Sequence, residues 1–130
     1  MKLRLLLFGL IMFIIPTQAQ SLIGLTKDEV RNVIKKEHRD LLKDNSIVIQ
    51  EYNYLKFVKR NGDATLIVYF SDDDICKTSK FVYDYAVLDE VVKNLNRQHE
   101  KVEDYIWRDR YIQVTLTKQE WYFTVRTTKI

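Results

Sequence analysis

The sequence predicts a two-layer α+β sandwich: one antiparallel sheet of about six strands with two helices on one face, in the order α-β-β-β-α-β-β-β. Three observations carry this. Two segments repeat apolar residues at helical spacing, Val30, Val33, Ile34, Leu41 and Leu42, then Leu88, Val91, Val92, Leu95 and Val102. Other runs alternate strictly, as Ile112, Val114 and Leu116 do with Gln113, Thr115 and Thr117, the pattern of antiparallel strands with one buried face. Finally, residues 20–130 hold no proline and only two glycines, Gly24 and Gly62, so no linker divides them.

That stretch is the expected mature protein. Met1-Lys2-Leu3-Arg4 is a basic start, Leu5 to Ile15 is an unbroken apolar run, and Thr17-Gln18-Ala19 is a small-x-small site. Together these read as a secretory signal peptide over 1–19, exporting a single α+β domain over 20–130 to the periplasm or beyond the cell. The apolar run is far short of the roughly 20 residues of a membrane-spanning helix. No cysteine stands at the cleavage site, so no lipid anchor is expected. Losing Lys2 and Arg4 leaves 19 of the 21 basic residues against 18 acidic ones. A net charge of +1 gives nucleic acid no basic field to bind.

The elements follow in order. Thr26 and Glu29 form a capping box, flanked by the staple positions Leu25 and Val30, and open a helix over 26–43. Strand-like runs at Ile47–Tyr52 and Tyr54–Arg60 come next, readable as one bent strand. Asn61-Gly62 predicts a two-residue type I′ hairpin in which facing residues sum to 123. Leu55, Phe57, Ala64, Leu66, Val68 and Phe70 then share a core face, and Tyr54, Lys56, Val58, Thr65, Ile67 and Tyr69 the other. Further strands are expected over 75–84, 105–108, 111–117 and 121–128, with Trp121, Phe123 and Val125 on the buried face, and a second helix over 86–102. Asp28-Glu29-Val30 matches Asp89-Glu90-Val91 at an offset of 61, which also aligns His38 with His99. A duplicated unit is one explanation, although the match stops at the strands.

Chemistry-bearing motifs are scarce. Two glycines cannot build a phosphate loop. Cys76 reads as a small buried hydrophobe, with a reactive thiol as the rival. His38 and His99 lack the Cys/His/Asp spacing of a metal site and read as boundary residues at helix ends. Asp72-Asp73-Asp74 lacks the glycine and distal glutamate of a calcium loop and reads as a solvated turn. No G-x-S-x-G elbow exists, and nothing orients a Cys–His pair. No catalytic residue, metal or cofactor is therefore expected. The feature above background is the outer sheet face, where Tyr54, Lys56, Val58, Ile67, Tyr69 and Tyr122 are the candidate binding residues. They point to a non-catalytic module that captures a protein partner or self-associates. The alternatives are a small-ligand protein with a cleft between helices and sheet, and a hydrolase of unrecognised type.

Gly24-Leu25-Thr26-Lys27-Asp28-Glu29-Val30 resembles the Gly-Met-Thr-x-x-x-Val helix entry of the SmpA/OmlA outer-membrane assembly lipoproteins and of β-lactamase-inhibitor-like domains. That resemblance implies helices paired with an antiparallel meander and action by binding proteins. The chain departs from it in lacking the anchor cysteine and in placing its second helix after a meander. More broadly it resembles uncharacterised small secreted α+β proteins of Gram-negative bacteria, a likeness that implies no activity.

Overall fold

The computed structural model describes residues 21–45 and 51–130. They form one antiparallel sheet of eight strands with two helices on one face. In chain order the elements are α1 (Lys27–Glu37), β1 (Leu41–Lys43), β2 (Tyr54–Lys59), β3 (Ala64–Phe70) and β4 (Cys76–Tyr83). A 3-10 turn (Tyr85–Val87) then leads into α2 (Leu88–Gln98), β5 (Glu100–Glu103), β6 (Ile106–Arg108), β7 (Ile112–Lys118) and β8 (Phe123–Lys129). The sheet order β1-β2-β3-β4-β8-β7-β6-β5 makes the molecule two α-β-β-β-β halves joined where β4 meets β8.

The α+β class and the single antiparallel sheet are as expected, but the strands number eight rather than about six. Both additions are edge strands that the sequence pattern assigns to helix tails. Leu41 lies seven residues after Ile34, and Val102 seven after Leu95, so each continues an amphipathic stripe by two turns. The helices nevertheless stop at His38 and His99, whose backbone N–H groups donate to Ile34 and Leu95 (both 3.0 Å). The chain then turns straight into β1 and β5. Of the strand expected over Ile47–Tyr52, residues 47–50 lie outside the described residues, and Glu51 and Tyr52 form a turn and bend before β2. The segment expected to be a signal peptide, residues 1–19, also lies outside them.

Other local expectations hold in detail. Thr26 caps α1 through the Glu29 N–H (3.2 Å), and the Glu29 carboxylate returns to the Thr26 N–H (3.0 Å). In the first hairpin Tyr54 faces Tyr69, Leu55 faces Val68 and Phe57 faces Leu66, the sum of 123 throughout. The turn itself differs. Only Gly62 has positive φ (81°), and its N–H closes on the Lys59 carbonyl at 2.8 Å. Asn61 instead accepts from the Asp63 N–H through its side chain (3.0 Å), which holds it out of the left-handed region a type I′ turn demands. The loop is thus four residues long and keeps the same register.

Each half has its own core. Val30 and Ile34 of α1 pack with Leu55, Phe57, Leu66, Val68, Phe70 and Cys76. Leu95 of α2 packs with Trp107, Ile112, Val114, Leu116, Phe123 and Val125. Ile23 and Phe81 touch both clusters. Trp121, expected on the buried face, is 80 % exposed in the β7–β8 turn.

The halves are related by a pseudo-twofold axis normal to the sheet. Across β4 and β8, Ser79 pairs with Thr127, Lys80 with Arg126, and Phe81 with Val125. The axis passes between Lys80 and Arg126. The helices consequently run antiparallel. α1 begins beside the start of β4, where Thr26 bridges Ile75, and α2 begins just past its end.

Candidate functional site

The strands place the expected binding residues with one exception. Register puts Tyr54, Lys56 and Val58 of β2 beside Ile67 and Tyr69 of β3, all half-exposed on the face opposite the helices. The Tyr54 and Tyr69 rings are paired at 6.4 Å with a 41° tilt. Tyr122 stands apart. It precedes β8, six residues from the Thr128 that lies in the Tyr54–Tyr69 row, so it is about 20 Å away along the strand.

What the first hairpin cannot reveal is the centre of this face. One row across the sheet reads Lys56, Ile67, Lys80, Arg126, Thr115 and Ile106. The next reads Tyr54, Tyr69, Thr78, Thr128, Gln113 and Arg108. The third runs from Val58 through Thr65, Val82 and Thr124 to Thr117. Lys80 and Arg126 join the site because β4 pairs β8, a contact between segments more than forty residues apart that no local pattern announces.

The electrostatics are one-sided. None of the six inner strands, β2, β3, β4, β6, β7 and β8, contains an aspartate or glutamate. Acidic residues lie in the helices, the turns and β5. Lys56 is neutralised at the rim by Asp44 (3.3 Å), and Arg108 donates to the Gln113 side chain (2.8 Å). Lys80 and Arg126, directly opposite one another, repel unless something negative lies over them.

The reactive-residue readings are resolved geometrically. Cys76 is buried at 2 % exposure, its Sγ donates to the Thr78 carbonyl (3.8 Å), and burial pushes its thiol up to about 11. Such a thiol stays protonated at neutral pH and is a poor nucleophile. His38 and His99 cap different, antiparallel helices and so stand at opposite ends of the layer. His99 meets Asp109 through Nδ1 (3.2 Å). Among the described residues no three His, Cys, Asp or Glu side chains gather as metal ligands, and Asp72-Asp73-Asp74 is an exposed turn. No helix there is long and apolar enough to cross a membrane. Comparison with known protein families, curated proteins and solved structures found no match.

Proposed function

We propose that the chain is an exported, non-catalytic binding module whose open sheet face docks a protein partner carrying an acidic patch. The observation behind this reading is the face itself: tyrosine and aliphatic groups around a Lys80–Arg126 centre, with no carboxylate in the six inner strands. Tyrosine supplies contact area with few torsions to freeze, and exposed tyrosine–aliphatic patches mark contact sites. The resemblance of the helix entry to domains that bind proteins points the same way.

The same charges argue against self-association through this face. Stacking two copies would bring two Lys80–Arg126 pairs together, and like charges at an interface centre are strongly unfavourable. A partner with carboxylates there converts that repulsion into attraction and gains speed of encounter at low salt.

The test is a photo-crosslinker replacing Ile67, with a second at Lys35 on the outer side of α1 as control. A partner trapped at Ile67 and not at Lys35 is expected. Binding to that purified partner should weaken by at least about 2 kcal/mol in Tyr54→Ser/Tyr69→Ser. In Lys80→Glu/Arg126→Glu it should weaken and lose its salt dependence. Equal trapping at both positions, or undiminished affinity in both variants, rejects the face.

A further inference from the structure

The two helices cannot cover the sheet they lie on. Eight strands spaced about 4.8 Å apart span roughly 34 Å, whereas two helices about 10 Å across cover about 20 Å. Each helix sits over the core of its own half, so the shortfall falls in the middle, over β4 and β8. There a channel of about 870 Å³ opens between α1 and α2. Burial is uneven along its floor: Phe81, Tyr83 and Thr127 are only partly buried, whereas Ser79, Phe123 and Val125 of the same two strands are buried, as are Leu66, Val68, Val114 and Leu116 in the flanking strands.

The channel is not the same at its two ends. The pseudo-twofold axis equates Ser79 with Val125 and Phe81 with Thr127, so the floor would be even if the sequence obeyed it. Instead Ser79 lies opposite Thr127 in the strand register on one side of the axis, and Phe81 lies opposite Val125 on the other. Ser79 is only 9 % exposed. Its hydroxyl has no hydrogen-bond partner among the described residues, and it is not sealed in, because it opens on the channel. The hydroxyl end is also the end of α2, where Gln98 and His99 line the wall and Asp109 fixes His99 through Nδ1. The apolar end leads toward Glu37, His38 and the Asp40–Lys59 ion pair beside the end of α1.

We propose that this channel binds a medium-chain carboxylate, its chain over Phe81, Val125 and Leu66 and its head toward Ser79, Thr127 and His99. The volume falls within the roughly 300–1,000 Å³ of small-molecule clefts, and the lining joins an apolar floor to polar groups at both ends. Two hydroxyls and the Gln98 amide all donate to a carboxylate. At the far end Lys59 pairs with Asp40 (3.8 Å), which leaves Glu37 as the carboxylate there that opposes the same head. The site lies on the opposite side of the sheet from the proposed docking face and is independent of that reading.

The test is a fluorescence titration of the exported protein with N-phenyl-naphthylamine, followed by displacement with dodecanoate and with dodecyltrimethylammonium. Saturable uptake of about one probe per chain is expected. Dodecanoate should displace it at a concentration at least about tenfold lower than the cation does. Ser79→Leu fills the floor from β4, and Asn94→Trp fills the channel from α2. Each should abolish uptake with the melting temperature unchanged or raised, while Tyr54→Ser/Tyr69→Ser binds as the parent does. No saturable uptake, uptake surviving in a folded Ser79→Leu or Asn94→Trp protein, or equal displacement by both amphiphiles overturns the proposal.

Discussion

The first half of the molecule and the second share one topology and almost no sequence. Superposed through the pseudo-twofold axis, Phe57 of β2 falls on Trp107 of β6, Leu66 on Val114, and Val68 on Leu116. His38 and His99 close their helices with the same backbone bond. The entries differ. α1 opens on its own capping box, whereas α2 is reached through the 3-10 turn held by Asp84, whose carboxylate accepts from the Ala86 N–H (2.8 Å). The connections differ as well: ten residues link β1 to β2, and two link β5 to β6. That difference is the largest part of a shift in alignment from an offset of 61 at the helices to 48 at β3 and β7, so no fixed-period comparison of the two halves spans both. Helix length, eleven residues in each, and strand order are shared, while loops, the lengths of β2 and β6, and residue identities differ.

The largest expected effect tests whether the halves stand independently. Phe57→Ala and Trp107→Ala, at equivalent places in the two cores, should each cost roughly 3–5 kcal/mol. Trp107→Ala should be the worse, since Trp107 is fully buried and also donates through Nε1 to Asn96 (2.9 Å). Because Phe81 belongs to both clusters, urea unfolding of either variant should remain one transition by far-ultraviolet and tyrosine signals alike. Two separated transitions would show that the halves unfold singly.

A smaller effect is alkaline sensitivity. The first residue of the last strand is Cys76 in the first half and Phe123 in the second. Burial pushes the Cys76 thiol up to about 11 and the Tyr83 phenol, stacked between Phe81 (5.1 Å) and Phe123 (5.2 Å), up to about 12. Both groups are favoured neutral in the folded state. Their stabilisation is therefore complete below pH 9 and drains away as pH rises through those values. A tenfold difference in proton affinity between the folded and unfolded chain is worth about 1.4 kcal/mol, so the loss through either group is at most about 3 kcal/mol. Tyr83→Phe should flatten the decline above pH 10 in a series of urea midpoints, and an unchanged slope would count against Tyr83.

The smallest effect concerns the two helix entries. Thr26→Ala and Asp84→Ala should each cost about 1 kcal/mol by thermal melting. A much larger loss for Asp84→Ala would show that the 3-10 turn also fixes how the second half joins the first.

How far the sequence reveals this molecule depends on how local each decision is. The Thr26 cap and the Tyr54–Tyr69 register are written within a few residues and are legible there. The edge strands are not, because Leu41 and Val102 sit where an amphipathic helix would place its next apolar residue, with no proline or glycine to mark the stop. The hairpin's register is the same for either turn type because cross-strand packing, not the turn alone, sets it. On the candidate face the tyrosines can be placed from one hairpin, whereas Lys80 and Arg126 cannot, since nothing local says that β4 and β8 are neighbours. The channel is subtler still, the product of a mismatch in width between two layers.

Among the described residues, the two outermost strands of the sheet also bear on how the protein behaves when crowded. An open sheet offers unpaired N–H and carbonyl groups along its outermost strands, and identical chains can add there without limit. Here those strands are the shortest of the eight apart from β6: β1 spans three residues, and β5 spans four with a bulge between Lys101 and Glu103. β5 reads Glu100-Lys101-Val102-Glu103, three charged residues of four, and all four are exposed. A newcomer strand would find a template too brief to hold it at β1, and at β5 one that is also charged. Short outer strands of this kind disfavour filament growth through the sheet edges.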